Sequence, residues 1–223
     1  MKVRGVTGSL FDEAAADAPR SPEPLAPGAV LLRGFALDLE KELRKALDRI
    51  VAAAPLRHMV TPGGFRMSVA MTNCGEFGWI TDRRGYRYDA CDPESGKPWP
   101  KMPKAFIDLA ERAATAAGYG GFVPDACLIN RYEPGARLSL HQDRNEKDFG
   151  APIVSVSLGL PAIFLFGGDD RSDRPRRVSI HHGDVAVWGG PSRLAFHGIA
   201  PLKDGDHAVM GRQRINLTLR RAQ

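Results

Sequence analysis

The sequence contains few cysteines and no long apolar segment. No hydrophobic run approaches the roughly 20 residues needed to cross a bilayer, and the first residues lack the basic-then-apolar order of a secretory signal. The three cysteines, Cys74, Cys91 and Cys127, are widely spaced and form no Cys-x-x-Cys pair. These absences argue against a disulfide framework and against a zinc site built from cysteines. We therefore expect a soluble cytoplasmic protein with free thiols and no membrane partner.

Length and composition favour a single folded domain. The chain has 223 residues, of which 43% are hydrophobic, and this is enough to bury a full core. Residues 1–23 are rich in Ala, Pro, Asp and Glu without periodicity, which predicts a flexible tail. Residues 24–223 are expected to form one domain.

Two amphipathic helices are predicted in the first half of the chain. Apolar residues keep helical spacing over 39–51, with Asp38 as the N-cap, and a second helix covers about 103–117 and stops at Gly118. Between them, residues 55–100 are dense in glycine, aromatic and charged residues and carry no strong core signal. Segments of this kind are often lids or binding loops, so we expect a lid here.

Beyond Val123, short strands recur at regular spacing with turn residues between them. They are predicted at 126–132, 137–142, 153–160, 162–166, 176–180, 185–188, 195–199 and 212–220, after an earlier strand at 28–33. Eight such strands predict a jelly roll, so the expected fold class is α+β and mainly β, with helices preceding a jelly-roll core at about 123–223. The mouth of a jelly roll is a natural place for a metal with convergent polar side chains.

Two histidines and one aspartate suggest a metal site. His141 and Asp143 end an alternating segment and leave it on one face, and His197 comes from a later segment. Two imidazoles and one carboxylate form the facial triad of non-haem Fe(II) oxygenases, which leaves positions open for an oxidant and a cosubstrate. A lone His-x-Asp is common and usually has only a structural role. A second feature is therefore needed to decide between metal binding and a structural role.

The segment 214–220 supplies that feature, because it alternates strictly between apolar and polar residues. Asn130 and Tyr132 offer a second polar face just before the His-x-Asp segment. Two guanidinium groups can grip two carboxylates by bidentate hydrogen bonds, which suits a small dicarboxylic acid. A metal with open positions beside such a clamp indicates 2-oxoglutarate and favours iron over zinc. The polar residues of the segment are Arg214, Asn216, Thr218 and Arg220.

The net charge of +5 and the pI of about 9.3 favour an anionic partner. Basic residues gather at 82–88, at 171–177 and at 220–221. Charge runs on loops are usually solvated surface. Aromatic residues interleaved with the first run, namely Trp79, Tyr86 and Tyr88, shift the balance, because phosphate neutralisation combined with base stacking is a recurring way of gripping a nucleic acid strand.

Several motifs in this order resemble the AlkB family of Fe(II)- and 2-oxoglutarate-dependent DNA dealkylases. The resemblance covers nearly the whole chain from about residue 24, and so many motifs in one order are highly specific although each is weak alone. The motifs are Asn130-Arg-Tyr132, Leu138-Ser-Leu-His-Gln-Asp143, His197-Gly-Ile and Arg214-x-Asn216-x-x-x-Arg220, together with the stretches at 59–64, 67–75 and 152–164.

The resemblance implies a double-stranded β-helix dioxygenase with a nucleotide-recognition lid. It implies that His141, Asp143 and His197 hold Fe(II) as the catalytic centre and that O2 binds at the iron. The implied reaction is oxidative demethylation of N-alkylated bases such as 1-methyladenine and 3-methylcytosine, with release of formaldehyde, succinate and CO2. The resemblance also implies one group that binds the distal carboxylate of 2-oxoglutarate, Arg214, Asn216 and Tyr132, and another that meets the carboxylate beside the keto group, Arg220 and Asn130.

The resemblance further implies contacts to alkylated single-stranded or duplex DNA, with RNA as a further candidate, made by a monomer. Trp79 would stack on the damaged base opposite His141, and Thr61 and Tyr86 would hold phosphates. Close relatives carry aspartate where this chain has Asn145, and an amide both donates and accepts, so the preferred lesion stays open. The other implied pocket or strand-facing residues are Met71, Tyr88, Ser139 and Arg171.

Three alternatives remain at this point. Trp79 could anchor the lid by packing on the core instead of stacking on a base. The protein could be a 2-oxoglutarate oxygenase that hydroxylates a protein or a small molecule. It could also be a nucleic-acid-binding module with a structural triad, although the intact arginine clamp argues against that.

Overall fold

The computed structural model describes residues 21–223, and these contain thirteen strands and two α-helices. Residues 1–20 of the predicted tail lie outside the described residues, and the last residue of the predicted tail, Glu23, begins the first strand. Across 21–223 no helix is both long and apolar enough to span a membrane. In chain order the elements are β1 (Glu23–Ala26), β2 (Ala29–Leu32), α1 (Glu40–Ala53), β3 (Ala70–Gly75), β4 (Gly78–Asp82), β5 (Gly85–Asp89), α2 (Lys104–Ala116), β6 (Ala126–Tyr132), β7 (Leu138–His141), β8 (Ile153–Gly159), β9 (Ala162–Phe166), β10 (Arg176–Ile180), β11 (Val185–Trp188), β12 (His197–Ile199) and β13 (Arg214–Arg220).

Two antiparallel sheets form the jelly roll. The larger sheet has the strand order β1-β2-β11-β8-β13-β6-β3, and the smaller has the order β10-β9-β12-β7. The eight strands predicted beyond Val123 are confirmed as β6 to β13, with ends shifted by at most two residues. Each sheet takes four of them. A separate hairpin, β4 with β5, stands apart from both sheets and is called the lid hairpin below.

Strand β13 separates the helical side of the protein from the space between the sheets. Its apolar residues Ile215, Leu217 and Leu219 share a buried cluster with Leu43 of α1 and Phe106 of α2. Burying such side chains contributes about 1.5–3 kcal/mol each. Because side chains alternate along a strand, the polar residues of β13 must point the other way, between the sheets. Every residue of β13 is buried, so those polar groups lie in the interior and not on a wet edge.

The start of α1 differs from the prediction. Asp38 is not an N-cap, because it lies inside a short 3₁₀ turn, Leu37–Leu39, and α1 begins at Glu40 without a side-chain cap. The Asp38 carboxylate is instead paired with Arg112 of α2 at 2.8 Å. The local pattern predicted that the Asp38 side chain caps α1, but in the structure it forms a tertiary ion pair with α2. The second helix ends as predicted, with Gly118 at a positive φ of 88°.

The segment 55–100 is not uniformly a lid. Strand β3 pairs with β6 at the edge of the larger sheet, and its residues from Ala70 to Cys74 are buried. Two of these buried residues are polar, so the sequence pattern did not indicate a buried strand here. Thr72 donates to Ala54 O at 2.8 Å, and Asn73 exchanges hydrogen bonds with the backbone of Trp79 at 3.0 Å. Polar side chains can be buried at little cost in stability when their donors and acceptors are hydrogen-bonded, as they are here.

Candidate active site

The smaller sheet brings the two histidines of the triad together. His141 ends β7 and His197 begins β12, and the two residues are direct partners in the antiparallel register. Asp143 follows two residues after His141, just beyond the strand. His141 Nε2 lies 3.8 Å from Asp143 Oδ1, and His197 Nε2 lies 3.6 Å from Asp143 Oδ2. One ligand atom from each residue lies within 4.8 Å of the others, as a shared metal ion requires.

Backbone contacts prepare both imidazoles for metal binding. His141 Nδ1 lies 2.8 Å from Ser139 O, and His197 Nδ1 lies 3.0 Å from Ala195 O. A carbonyl oxygen only accepts, so Nδ1 carries the proton and the lone pair of Nε2 faces Asp143. Burial, together with the neighbouring His141 ring, lowers the pKa of His197 to about 4. His197 is therefore neutral at physiological pH, which is the form that binds metals.

Asp143 is buried and ionised. Burial alone would raise its pKa, but Arg220 and the two histidines hold the pKa of this carboxyl below its ordinary value. Arg220 donates to Asp143 Oδ2 from Nε at 2.9 Å and from Nη2 at 2.6 Å. The site therefore offers one carboxylate and two imidazoles, which is the donor set that suits non-haem Fe(II).

Arg214 sits in the same interior with donors left over. It is 1% exposed, donates from Nη2 to Ser157 Oγ at 2.9 Å, and has its guanidinium 4.9 Å from the Tyr132 ring centroid. Its Nε and Nη1 atoms have no hydrogen-bond partner among residues 21–223. Burial lowers the pKa of this guanidinium, and the neighbouring Tyr132 opposes that shift only in part. A buried guanidinium with two free donors is a ready receptor for a carboxylate.

Two asparagines continue the polar surface beside Arg214. Asn130 Nδ2 donates to Asn216 Oδ1 at 3.3 Å, and Asn216 Nδ2 donates to Ser155 Oγ at 2.8 Å. The Oδ1 atom of Asn130 has no partner among the described residues. The triad, the arginines and these amides all line one cavity of about 960 Å³. Unpaired polar atoms in this cavity fit a bound polar cosubstrate.

The rim of this cavity is aromatic. The rings of Trp79 and Tyr86 stack with centroids 5.6 Å apart and an interplanar angle of 21°. Trp79 Nε1 donates to Asn145 Oδ1 at 3.1 Å. Tyr86 is exposed, whereas Trp79 is half-buried and packs against the core. The guanidinium of Arg171 lies over the Phe196 ring at 5.8 Å.

All predicted site residues except Tyr88 line the cavity. Thr61, Met71, Ser139 and Arg171 are among them, and Met71 is also part of the core. Tyr88 is not among the residues that line this cavity. Its hydroxyl donates to Glu146 Oε1 at 2.6 Å. The structure therefore brings together the metal, cosubstrate and rim residues, and it sets Tyr88 behind the cavity wall, where its hydroxyl accepts from Arg220 at 3.3 Å.

Sequence reasoning missed four residues that support the site. Ser155 and Ser157 contact Asn216 and Arg214, and they could have been found as polar residues alternating within the apolar strand β8. Glu146 and Arg193 form a buried ion pair at 3.2 Å behind Asp143. Nothing in the local sequence marks these two, because charged residues near glycine and proline usually lie on the surface.

Comparisons with known proteins agree with this geometry. The family model of the 2OG-Fe(II) oxygenase superfamily matches residues 28–220. The alpha-ketoglutarate-dependent dioxygenase AlkB of Escherichia coli K12 is 59% identical over 207 residues, which cover 93% of this chain and 96% of that protein. The mouse protein named nucleic acid dioxygenase ALKBH1 is 36% identical over 131 residues, which cover 57% of this chain and 33% of that protein.

A solved structure supports the fold as well. The structure of OsALKBH1 matches with a TM-score of 0.79 at 28% identity, and it covers 90% of this chain and 99% of that chain. The iron, 2-oxoglutarate and O2 on which the superfamily depends suit the donor set and the unpaired Arg214 described above. This chain therefore belongs to the AlkB family of 2OG-Fe(II) oxygenases and is an Fe(II)- and 2-oxoglutarate-dependent dioxygenase.

Proposed function

We propose that this protein repairs nucleic acid by oxidatively removing alkyl groups from base nitrogens, first of all in DNA. Substrates of this kind include 1-methyladenine and 3-methylcytosine, and the products are the repaired base, formaldehyde, succinate and CO2. One observation carries the proposal: the metal triad, an unpaired buried arginine and a stacked aromatic pair share a single cavity.

The interior residues divide into two binding groups. His141, Asp143 and His197 would hold Fe(II), which supplies the oxidising power when bound. Arg214, with Tyr132 and Asn216, would take the distal carboxylate of 2-oxoglutarate, and Arg220 with Asn130 would meet the carboxylate beside the keto group. The unpaired Nε and Nη1 of Arg214 support the first of these assignments. The contact between Arg220 and Asp143 supports the second, because it sets Arg220 beside the metal site.

The depth of the triad determines how a substrate has to be presented. His197 is 6% exposed and Asp143 is 9% exposed, so a base stacked inside a duplex has no access to the metal. The damaged base would be extruded or presented in a single strand. Trp79 would stack on it opposite the His141 ring, with Met71 and Ser139 lining the pocket.

The strand itself would be held at the rim. Thr61, Tyr86 and Arg171 line the cavity and would contact phosphates next to the damaged base. Tyr86 is exposed and offers both a hydroxyl and an aromatic face. The net charge of +5 adds a sequence-independent attraction to the backbone. The mouse relative, whose name describes a nucleic acid dioxygenase, supports this substrate class over peptides or small molecules.

We also infer a monomer that acts in the cytoplasm. The proposed metal and cosubstrate residues all come from one chain, so a partner subunit is not needed to complete the site. All three cysteines are free thiols, which suits a reducing compartment.

Mass spectrometry of alkylated oligonucleotides tests the proposal. Single-stranded DNA and RNA carrying 1-methyladenine or 3-methylcytosine would be incubated with the protein, Fe(II), ascorbate and 2-oxoglutarate, with the His197→Ala variant as control. We expect the wild type alone to convert the methylated base to the unmodified one, with DNA at least as good as RNA. Succinate formation stimulated by a methylated peptide and not by any oligonucleotide would instead support the protein-hydroxylase alternative.

A further inference from the structure

A buried cluster of charges lies behind the metal ligand Asp143. It contains two carboxylates and two guanidinium groups, and the exposed fractions of the side chains are 9% for Asp143, 1% for Glu146, 4% for Arg193 and 5% for Arg220. Charges this deeply buried are rarely tolerated unless each is paired. The ion pairs and hydrogen bonds within this cluster therefore show which charge each side chain compensates.

Glu146 binds both arginines of the cluster. Its Oε2 accepts from Arg193 Nη2 at 3.2 Å, and its Oε1 lies 3.6 Å from Arg220 Nε. Oε1 also accepts from the hydroxyl of Tyr88, a residue of the lid hairpin, at 2.6 Å. Both carboxylate oxygens are thus engaged inside the protein. Glu146 is not among the residues that line the cavity in the described chain, so any effect of Glu146 on the metal site has to pass through these contacts.

Both arginines in turn hold Asp143. Arg220 donates twice to Asp143 Oδ2, and its Nη1 donates to the Tyr88 hydroxyl at 3.3 Å. Arg193 donates from Nη1 to the backbone carbonyl of Asp143 at 2.8 Å. The side chain and the main chain of the metal ligand are therefore positioned by two cations that share one counter-ion.

We propose that Glu146 is a positioning residue for the metal centre, acting on Asp143 through Arg220 and Arg193. With Glu146 ionised, the two carboxylates and two guanidinium groups sum to zero charge before a metal ion enters. Without its charge the cluster carries +1, which opposes a divalent cation a few ångströms away. Arg220 would then rely on Asp143 as its only carboxylate partner and compete with the metal for Oδ2.

The Glu146→Gln variant tests this inference through metal affinity and needs no turnover. Mn(II) is titrated into the metal-free protein, without 2-oxoglutarate, and the free ion is followed by electron paramagnetic resonance. We expect Mn(II) to bind about 10-fold more weakly than to wild type, the lower end of the effect of removing a direct partner of a metal ligand, because Glu146 acts through the two arginines. Glu146→Asp restores the charge and should recover part of this loss.

A matched variant separates positioning from general stability. Asp92 is also a buried carboxylate paired with an arginine, Arg57, but it lies outside the cavity lining. Asp92→Asn should lower the melting temperature and leave Mn(II) affinity within about twofold of wild type. Folded Glu146→Gln that binds Mn(II) as tightly as wild type would overturn the proposal.

A second variant decides the matter if Glu146→Gln does not fold. Tyr88→Phe keeps the ring and removes only the hydroxyl that donates to Glu146 and accepts from Arg220. We expect Mn(II) affinity to fall several-fold while the melting temperature changes little. Wild-type Mn(II) affinity in Tyr88→Phe would then reject the positioning role.

Discussion

Arg220 donates two hydrogen bonds to one oxygen of Asp143, at 2.9 Å from Nε and at 2.6 Å from Nη2. The other carboxylate oxygen faces His141 Nε2 at 3.8 Å. The last residue of β13 is thereby tied to the proposed metal ligand, which comes from the loop after β7. The proposed cosubstrate arginine and the metal site consequently form one buried electrostatic unit, and changing either member alters both.

Removing any ligand of the triad should abolish turnover. His141→Ala, Asp143→Ala and His197→Ala each delete one of three protein ligands, and the remaining two hold Fe(II) too weakly. Succinate production with a methylated oligonucleotide measures the effect, and circular dichroism at neutral pH checks the fold. Near-wild-type demethylation by one of these variants would remove that residue from the site.

The three variants should differ in stability although they agree in activity. Asp143→Ala removes the carboxylate oxygen that accepts two hydrogen bonds from the buried Arg220 and leaves Glu146 as the remaining carboxylate near it. We therefore expect a loss of about 3 kcal/mol of unfolding free energy, the lower end for breaking a buried ion pair. His141→Ala removes a half-exposed ring and should cost much less. Urea unfolding of the metal-free proteins measures both values. Equal losses in the two variants would show that Arg220 does not depend on Asp143.

Arg214→Met should separate cosubstrate binding from stability. The unpaired guanidinium is costly in the free protein, so replacing it with an apolar side chain should leave the unfolding free energy unchanged or raise it. Losing the carboxylate partner should cost about 2–5 kcal/mol of 2-oxoglutarate binding. Melting temperature in Mn(II), with and without 2-oxoglutarate, should therefore rise only for the wild type.

Arg212→Met is the control for that experiment. Arg212 is a neighbouring arginine that is exposed and paired with Asp204 at 2.6 Å. Its replacement should leave the response to 2-oxoglutarate intact. A ligand-induced rise in melting temperature that survives in Arg214→Met would place the distal carboxylate elsewhere.

Trp79→Ala tests base stacking against core packing. If Trp79 stacks on the damaged base, affinity for methylated single strands should fall by about 1–3 kcal/mol. Oxidation of 2-oxoglutarate without nucleic acid should persist, because the metal and the arginines lie deeper in the cavity. Oligonucleotide affinity, uncoupled turnover and melting temperature are measured on one preparation. A large fall in melting temperature with parallel loss of both activities would support packing.

Asn145→Asp should change the choice of lesion. The indole N–H of Trp79 can only donate, so it fixes Oδ1 of Asn145 as the acceptor and leaves the amide hydrogens for a ligand. Aspartate offers acceptors alone, which favour bases with an amine at C6 of a purine or at C4 of a pyrimidine. At these positions 1-methylguanine and 3-methylthymine carry a carbonyl oxygen, which cannot donate. We expect 1-methyladenine and 3-methylcytosine to gain about tenfold over 1-methylguanine and 3-methylthymine, as one charge-assisted hydrogen bond predicts.

Competition between the four lesions in one reaction measures that ratio. Trp79→Phe serves as control, because it keeps an aromatic ring but frees the amide of Asn145 to rotate. The preference of this control should become weaker without reversing. Identical lesion ratios in wild type and Asn145→Asp would exclude Asn145 from base recognition.

The sequence by itself determined the jelly roll and the metal triad. Strands β6 to β13 follow from period-2 alternation and turn residues, both of which are local signals. The triad and the arginine strand follow from residue types whose chemistry is specific once they occur together. Asn145 and Trp79, for which the resemblance implies substrate contacts, were also named from the sequence, although the hydrogen bond between them was not.

Tertiary structure alone decided which charges are buried together. Arg193 and Glu146 are 47 residues apart, and Arg220 and Asp143 are 77 apart, so no local pattern links them. The same holds for β3, whose polar residues read as loop until their partners fold around them. The resemblance implies that Tyr88 is a pocket or strand-facing residue, but the hydrogen bond from its hydroxyl to Glu146 could be seen only in the folded structure. Alternation specifies which face of a strand is buried, whereas the contacts on that face depend on how distant strands pack.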